Sequence, residues 1–178
     1  ATRSATVSLA VSGGTPVQIT VSQASSGGLY PSYNTSPIPS DATGMNSTAT
    51  QLAAQIKLGL NIGNTMEAPG GETGWGNPII TQSLIDLIKQ NGFNAIRLPC
   101  AWDLHVDNKA TAHISTDWLN RVKQVVQYCI NDNMYVIVNI HWDGGWLEQN
   151  CTLAKKDSVN AKQKAFWEQI ATELRDFD

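Results

Sequence analysis

The stretch Tyr135-Val-Ile-Val-Asn-Ile-His141 decides the fold class of this 178-residue chain. Successive side chains of a strand point to opposite faces, so every second residue from Val136 forms an apolar face, and Asn139 and His141 lie on the other face. A doubly wound sheet is covered by helices on both sides and is apolar on both faces. A barrel has one face pointing inward and carries its functional groups at the C-terminal mouth. The stretch therefore favours a strand of an α/β barrel.

Two earlier stretches repeat this pattern. Asn61 is the polar residue within Leu58–Gly63, and Arg97 is the polar residue within Ala95–Pro99. Each of them alternates with apolar neighbours, so each strand is apolar toward its helices and polar on the opposite face near its C-terminal end.

Helical patterns precede, separate and follow these strands. A short helix is predicted over residues 48–57, and a second helix is predicted from the N-cap Thr81 to the glycine C′ position Gly92. A third begins at Ser115, and a fourth carries an apolar stripe over residues 166–177. Because strand and helix alternate three times with short connections, we expect a parallel sheet and the first three β/α units of a barrel over residues 48–178.

The first 47 residues have a different character. Residues 1–24 alternate in polarity on both sides of a Gly-Gly-Thr-Pro turn, which predicts a β-hairpin. Two strands alone are marginally stable, so we interpret them as a remnant of a β-sandwich module; they resemble the last strands of bacterial BACON-type modules. Residues 25–47 are rich in Ser, Gly, Pro, Thr and Asn and are predicted to be a polar linker.

Composition excludes several function classes. The net charge of −3 and the absence of a basic run argue against nucleic-acid binding, and no apolar run is long enough to span a membrane. The N-terminus has no hydrophobic signal core, so any export signal is expected to be absent or already removed. Three scattered cysteines are expected to be small buried residues. The three histidines are equally scattered, so we predict neither a metal site nor a cofactor.

Arg97 and His141 are the leading candidates for functional residues. Each lies at the end of a predicted strand, on the inward face. An arginine there could keep a neighbouring carboxylate ionised and fix its direction; the alternative is a structural ion pair inside the barrel. His141 precedes a Trp- and Gly-rich loop, which favours substrate contact over the alternative of a core histidine with satisfied hydrogen bonds.

Further candidates lie in the loops that follow the strands. Amide, carboxylate and indole groups are suited to sugar hydroxyls and ring faces, and a tight glycine-rich turn or ordinary packing is the alternative for each. The predicted substrate-binding residues are Asn61, Asn64, Glu72, Trp75, Trp102, His105, Trp142 and Trp146.

Four motifs together resemble a known family. They are Leu-Gly-Leu-Asn-Ile-Gly-Asn-Thr from Leu58, Thr-Gly-Trp-Gly-Asn-Pro from Thr73, Asn-Ala-Ile-Arg-Leu-Pro-Cys-Ala-Trp from Asn94 and Val-Asn-Ile-His-Trp-Asp-Gly-Gly-Trp from Val138. In order and spacing they resemble the first three strand–loop regions of glycoside hydrolase family 5, and most of all its subfamily 4 of endo-β-1,4-glucanases and xyloglucanases.

The resemblance implies a retaining (β/α)8 TIM barrel that cleaves internal β-1,4-glucosidic bonds of plant cell-wall polysaccharide. Arg97 and His141 match the family's arginine after strand two and histidine after strand three. Many relatives have a second histidine where this chain has Trp142. A polymeric substrate implies a secreted, periplasmic or cell-surface protein.

The resemblance also implies that two glutamates are needed from later strands, an acid/base in an Asn-Glu-Pro motif after strand four and a nucleophile after strand seven. The chain has no Asn-Glu-Pro motif and extends to Asp178, just after the third β/α unit. We therefore expect the N-terminal part of a glucanase that is inactive alone and is completed by a C-terminal part of the barrel. The alternatives are a non-catalytic carbohydrate-binding fragment and a self-associating half-barrel.

Overall fold

Three parallel strands form the sheet that positions the candidate site. The computed structural model describes residues 3–9, 17–23, 28–37 and 47–177. Strands β3 (Gly59–Asn61), β4 (Ala95–Cys100) and β7 (Tyr135–Ile140) lie side by side in that order, with the short pair β5 (Val106–Asn108) and β6 (His113–Ile114) inserted between β4 and the helix that follows it. The three predicted strands are confirmed as elements, but the first is shorter than its predicted range of 58–63, and β5 and β6 were not foreseen.

The register of the sheet brings the polar residues of the strands together. Asn61 lies opposite Arg97, and Arg97 lies opposite Ile137. Pro99 lies opposite Asn139, one step nearer to the C-terminal end of the sheet. Since side chains alternate between faces, these residues share the face of the sheet that is opposite to the helices.

In the described part of the chain, four α-helices accompany the sheet: α1 (Ala49–Gln55), α2 (Gln82–Gln90), α3 (Thr116–Asn131) and α4 (Lys156–Leu174). Helix α2 begins as predicted, because the Thr81 hydroxyl accepts a hydrogen bond from Leu84 N–H at 3.3 Å. Helix α3 buries one apolar face, and α4 buries Phe166 and Ile170. These side chains form the core between the helices and the outer face of the sheet. Helix α1 contributes no buried residue.

The N-terminal strands β1 (Arg3–Leu9) and β2 (Val17–Gln23) pair antiparallel, with Thr6 opposite Thr20. The predicted turn between them lies outside the described residues. Their assignment to a remnant sandwich module stays a prediction.

The linker prediction for 25–47 is wrong for residues 28–37, which pack along α4 and are called here the docked segment. Glu168 of α4 accepts hydrogen bonds from Tyr33 N–H at 2.7 Å, from the Ser32 hydroxyl at 3.1 Å and from Asn34 N–H at 3.3 Å. The Tyr33 hydroxyl donates to the Thr111 carbonyl at 3.0 Å. Backbone N–H groups, hydroxyls and the packing of Tyr30 and Tyr33 against the core hold the segment in place, and two tyrosines among Ser, Gly, Pro, Thr and Asn are too few to indicate docking from composition. The remainder of the linker prediction lies largely outside the described residues.

The cysteine prediction is correct for two residues. Cys100 and Cys129 are buried, and burial raises the pKa of the Cys129 thiol to about 12. Cys151 is exposed, so the prediction of a buried thiol is wrong there, because residue 151 lies in the irregular stretch between β7 and α4. No helix within the described ranges is long and apolar enough to cross a membrane.

Acid is expected to release the docked segment. Burial of Glu168 opposes its charge, but the hydrogen bonds from Tyr33, Ser32 and Asn34 and the nearby Lys164 outweigh burial and hold the pKa of Glu168 below its ordinary value of 4.5. A lowered pKa in the docked state means that the contribution to stability is present above the ordinary value and is lost as the pH falls through the lowered one. Hydrogen-exchange protection factors of the Tyr33 and Asn34 amides, measured on either side of that pH, are expected to fall at the acidic side.

The variant E168Q should lower the same protection factors at neutral pH. E173Q is the matched control, because Glu173 lies on the same helix but pairs with Lys123 at 2.9 Å. Equal protection of Tyr33 in E168Q and E173Q would contradict this account of docking.

Candidate functional site

A row of three hydrogen-bonded side chains crosses the sheet at its C-terminal side. Arg97 Nη1 donates to Asn61 Oδ1 at 2.5 Å, and Arg97 Nη2 lies 3.2 Å from His141 Nδ1. The three residues come from β3, from β4 and from the position directly after β7. The structure thus brings the predicted residues Asn61, Arg97 and His141 together.

The contact with Arg97 selects one tautomer of His141. A guanidinium can only donate hydrogen bonds, so His141 Nδ1 must accept and the ring proton lies on Nε2. His141 and Asn61 are exposed and Arg97 is half-buried, so the row faces solvent. Within the described ranges Asn61 and His141 are the side chains that contact Arg97, so an ion pair inside the barrel stays an untested alternative.

Two exposed tryptophans lie at the same end of the sheet. Trp75 is 48% exposed and Trp142 is 45% exposed. Their ring centroids are 5.9 Å apart and the ring planes are tilted by 44°. The two indoles therefore form an open corner, called here the aromatic corner, in which each ring keeps a large area accessible to a ligand.

The turn after His141 is fixed by Asp143. Its carboxylate is 1% exposed and accepts hydrogen bonds from Trp102 N–H and Asp103 N–H at 2.8 Å, from Leu104 N–H at 3.3 Å and from Trp146 Nε1 at 2.9 Å. Burial raises the pKa of Asp143, and these hydrogen bonds oppose the rise. An acidic residue directly before two glycines was the signal for this role.

Glu67 supports the row from the loop after β3, and the sequence did not predict this role. It is 3% exposed and accepts hydrogen bonds from Asn64 N–H at 2.6 Å and Thr65 N–H at 3.0 Å. A Cβ added at Gly63 would lie 2.8 Å from Asn61 Nδ2 and 3.4 Å from Glu67 Oε1, so only glycine leaves these groups undisturbed. The carboxylate thus holds the loop in which Asn61 ends its strand.

Asn64 takes part in this loop through its backbone. Its φ of 61° is in the left-handed region that Asn tolerates, and its carbonyl accepts from Asn77 Nδ2 at 3.0 Å. The tight-turn alternative therefore describes its backbone, and a sugar contact by its exposed side chain stays a prediction.

The prediction that Glu72 contacts substrate is wrong. Its carboxylate is bound by Arg121 of α3, with Nε to Oε2 and Nη2 to Oε1 both at 2.8 Å. Oε1 also accepts from Ile80 N–H at 2.5 Å. Only 9% of its side chain is exposed, so both oxygens are committed to joining the loop after β3 to α3.

The prediction that Trp102 and His105 bind substrate is also wrong. Trp102 is fully buried in the core. His105 stacks on Trp118 with ring centroids 3.5 Å apart, and burial lowers the pKa of His105 to about 4. Both residues lie between β4 and β5, where Trp102 packs in the core and His105 packs on Trp118 of α3, so the structure gives both a packing role.

Trp146 is the third correction of this kind. It is 9% exposed, donates to Asp143 Oδ2 at 2.9 Å and meets Phe166 edge-on at 5.9 Å. Lys162 Nζ lies 4.4 Å from its ring centroid, which covers the remaining face. Trp146 therefore packs beneath the turn and does not contact substrate.

Among the residues that the structure describes, no group of three or more His, Cys, Asp or Glu side chains could hold a metal ion.

Comparison with known proteins identifies the family. The family model described as Cellulase (glycosyl hydrolase family 5) matches residues 60–178. The chain belongs to glycosyl hydrolase family 5.

Two curated family 5 relatives illustrate the match. Endoglucanase B of Clostridium cellulovorans is 43% identical over 130 residues, which are 73% of this chain and 29% of the relative. The xyloglucan-specific endo-β-1,4-glucanase BoGH5A of Bacteroides ovatus is 38% identical over 188 aligned residues, covering 99% of this chain and 36% of the relative. The chain thus spans about a third of the length of these family 5 relatives.

Solved structures of family 5 enzymes agree with the fold. The Bacteroides ovatus GH5 xyloglucanase in complex with a XXXG heptasaccharide gives a TM-score of 0.77 at 35% identity, covering 99% of this chain and 40% of that one. A GH5-4 broad specificity endoglucanase from Ruminococcus champanellensis with bound cellotriose gives a TM-score of 0.71 at 41% identity. The match covers 75% of this chain and 41% of that chain. These neighbours are TIM-barrel enzymes, so β3, β4 and β7 correspond to the N-terminal part of that barrel.

Proposed function

We propose that this family 5 chain forms the arginine–histidine side of the active site of a retaining endo-β-1,4-glucanase. The observation that carries the proposal is the row of Asn61, Arg97 and His141, which is exposed at the C-terminal side of the sheet. The relatives named above are endoglucanases and a xyloglucanase, which supports a β-1,4-glucan as substrate.

In this proposal each member of the row has a distinct task. Arg97 supplies a fixed positive charge that favours the ionised form of a catalytic carboxylate placed beside it. Asn61 and His141 hold the guanidinium in one orientation, and His141 offers its Nε2–H to a sugar hydroxyl. Trp75 and Trp142 offer flat apolar surfaces to the pyranose rings.

The two catalytic glutamates are proposed to come from further units of the barrel. Retaining cleavage needs two carboxyl groups about 5–5.5 Å apart on either side of the bond. Near this end of the described sheet the buried carboxylates already have partners: backbone N–H groups for Glu67, backbone N–H groups and an indole for Asp143, and Arg121 for Glu72. We therefore propose that hydrolysis requires the complementary part of the barrel.

The substrate class also suggests the location. Cell-wall glucans are polymers that do not enter cells intact, so the proposed enzyme acts as a secreted, periplasmic or cell-surface protein. A non-catalytic carbohydrate-binding role is the second candidate, and the exposure of Trp75 and Trp142 favours it over a self-associating half-barrel.

Extension of the chain tests the proposal. Joined to the remaining β/α units of the Clostridium cellulovorans relative, the chain is expected to hydrolyse carboxymethylcellulose and xyloglucan, because those units would supply both glutamates. Reducing-sugar release is the measurement, and the same fusion with the donor acid/base glutamate changed to glutamine is the control. Hydrolysis by the 178-residue chain alone would overturn the claim that it lacks the catalytic pair. Binding of cello-oligosaccharides by an inactive but folded fusion would favour the second candidate.

A further inference from the structure

Four consecutive residues after His141 have positive φ angles. Trp142 has φ 52° and ψ −59°, and Asp143, Gly144 and Gly145 follow with φ values of 49°, 70° and 73°. The Asp143 N–H donates to the His141 carbonyl at 2.6 Å, so Trp142 is the centre of a γ-turn of the rare, strained kind. A bulky residue in this region is an outlier that persists only when its surroundings impose it.

The surroundings that impose it are the four hydrogen bonds to Asp143. Three come from consecutive backbone N–H groups directly after β4, and the fourth comes from Trp146 within the same turn. Each carboxylate oxygen accepts two of them. Packing is tight as well, since a Cβ at Gly144 would lie 3.2 Å from Leu104 Cδ2. The turn is therefore anchored to the loop after the neighbouring strand.

The γ-turn at Trp142 determines the direction of its side chain. His141 lies on the inward face of the sheet, so a strand that continued regularly would direct residue 142 to the helix side. The γ-turn reverses the chain at this position, and the Trp142 indole instead lies 5.9 Å from the Trp75 ring at the open end of the sheet. An indole that would gain free energy by burial is held 45% exposed.

We propose that Asp143 is a positioning residue that holds Trp142 in the aromatic corner, and that this corner is a stacking subsite for a β-linked pyranose ring. The inference rests on the proposed function for the identity of the ligand, because equatorially substituted rings have the flat apolar faces that an indole covers. Asp143 itself does not touch the sugar.

Circular dichroism provides a readout of position that does not depend on sugar binding. Two indoles 5.9 Å apart and tilted by 44° are expected to give an exciton couplet, which W75F and W142F should each abolish. D143N should abolish it too, because an amide nitrogen cannot accept the two N–H bonds that one carboxylate oxygen accepts now. D107N is the matched control, an exposed carboxylate that pairs with His113 at 2.7 Å and does not contact the Asp143 turn, and it should keep the couplet.

Titration of the chain with cellotetraose measures the affinity of the stacking subsite. W142A and D143N are each expected to weaken binding about tenfold, which corresponds to about 1.4 kcal/mol. The double variant should be no weaker than W142A, because Asp143 acts through Trp142. A couplet and affinity unchanged in D143N, or additive losses in the double variant, would overturn the proposal.

Further outcomes separate the subsite from the wider function. If D143N does not fold, G144A replaces it, since it strains the same turn at φ 70° without uncovering the buried N–H groups, and an unchanged couplet there overturns the proposal. If the extended enzyme hydrolyses glucan but W142A binds cellotetraose as well as the wild type, the stacking subsite is wrong and the proposed function stands. If the chain binds no cellotetraose and the extended enzyme is inactive, the proposed function fails, and the stacking subsite fails with it.

Discussion

Replacing Glu72 by alanine is expected to lower the free energy of unfolding by about 3 kcal/mol, the lower end of the range for removing one partner from a buried ion pair, because this pair is part-buried. Arg121 would be left with its side chain 21% exposed and without the carboxylate that accepts from its Nε and Nη2. Ile80 N–H would lose its acceptor at the same time. Urea unfolding followed by tryptophan fluorescence measures the change.

D107A is the matched control for this experiment. Asp107 pairs with His113 at 2.7 Å, but their side chains are 51% and 39% exposed. An exposed pair contributes about 0–1 kcal/mol, so D107A should change stability little. If E72A and D107A unfolded at the same urea concentration, Glu72 would not be the structural residue described here.

The second large effect is expected at Arg97. In the extended enzyme, R97A should lower kcat by about 10²–10³, the range seen when one preorganised group that stabilises developing charge is removed. R97K should recover only part of the loss, because an ammonium is a point charge and cannot match the forked contact to Asn61 and His141. Initial rates on xyloglucan measure the effect.

A spectroscopic readout separates positioning from general damage. The ¹⁵N chemical shifts of His141 should report the Nε2–H form in the wild type and a mixture of tautomers in R97A, since the donor to Nδ1 is then gone. R175A is the control, because Arg175 is 43% exposed and, among the described residues, its charged partner is Asp176 at 3.8 Å, far in sequence from the row. An R97A enzyme with more than about a tenth of the wild-type kcat would contradict the role given to the row.

The alternation of side chains along the strands made part of the site predictable. Asn61, Arg97 and His141 each interrupt an apolar alternation near the end of a strand, and parallel strands bring such positions to one edge of the sheet. Whether a segment forms a strand or a helix also followed from the periodicity of its apolar residues. What the sequence could supply was therefore the part of the site that is built on the strands.

Residues in the loops could not be placed in this way. Trp102, Trp146 and Trp142 are chemically alike, and an indole suits a core as well as a sugar face. The first two are buried and the third is exposed because of the turn held by Asp143, a tertiary feature with no periodicity. Glu72 was misread for a similar reason, since its partner Arg121 lies 49 positions away.

The docked segment has a consequence for protein engineering. Periodicity places the start of the barrel near residue 48, and the family match begins at residue 60. A shortened enzyme begun at either position would leave Glu168 without the three donors from residues 32–34 and would uncover the surface of α4 beneath them. Module exchanges at the N-terminal side should therefore join the new partner before residue 28, so that the docked segment travels with the barrel.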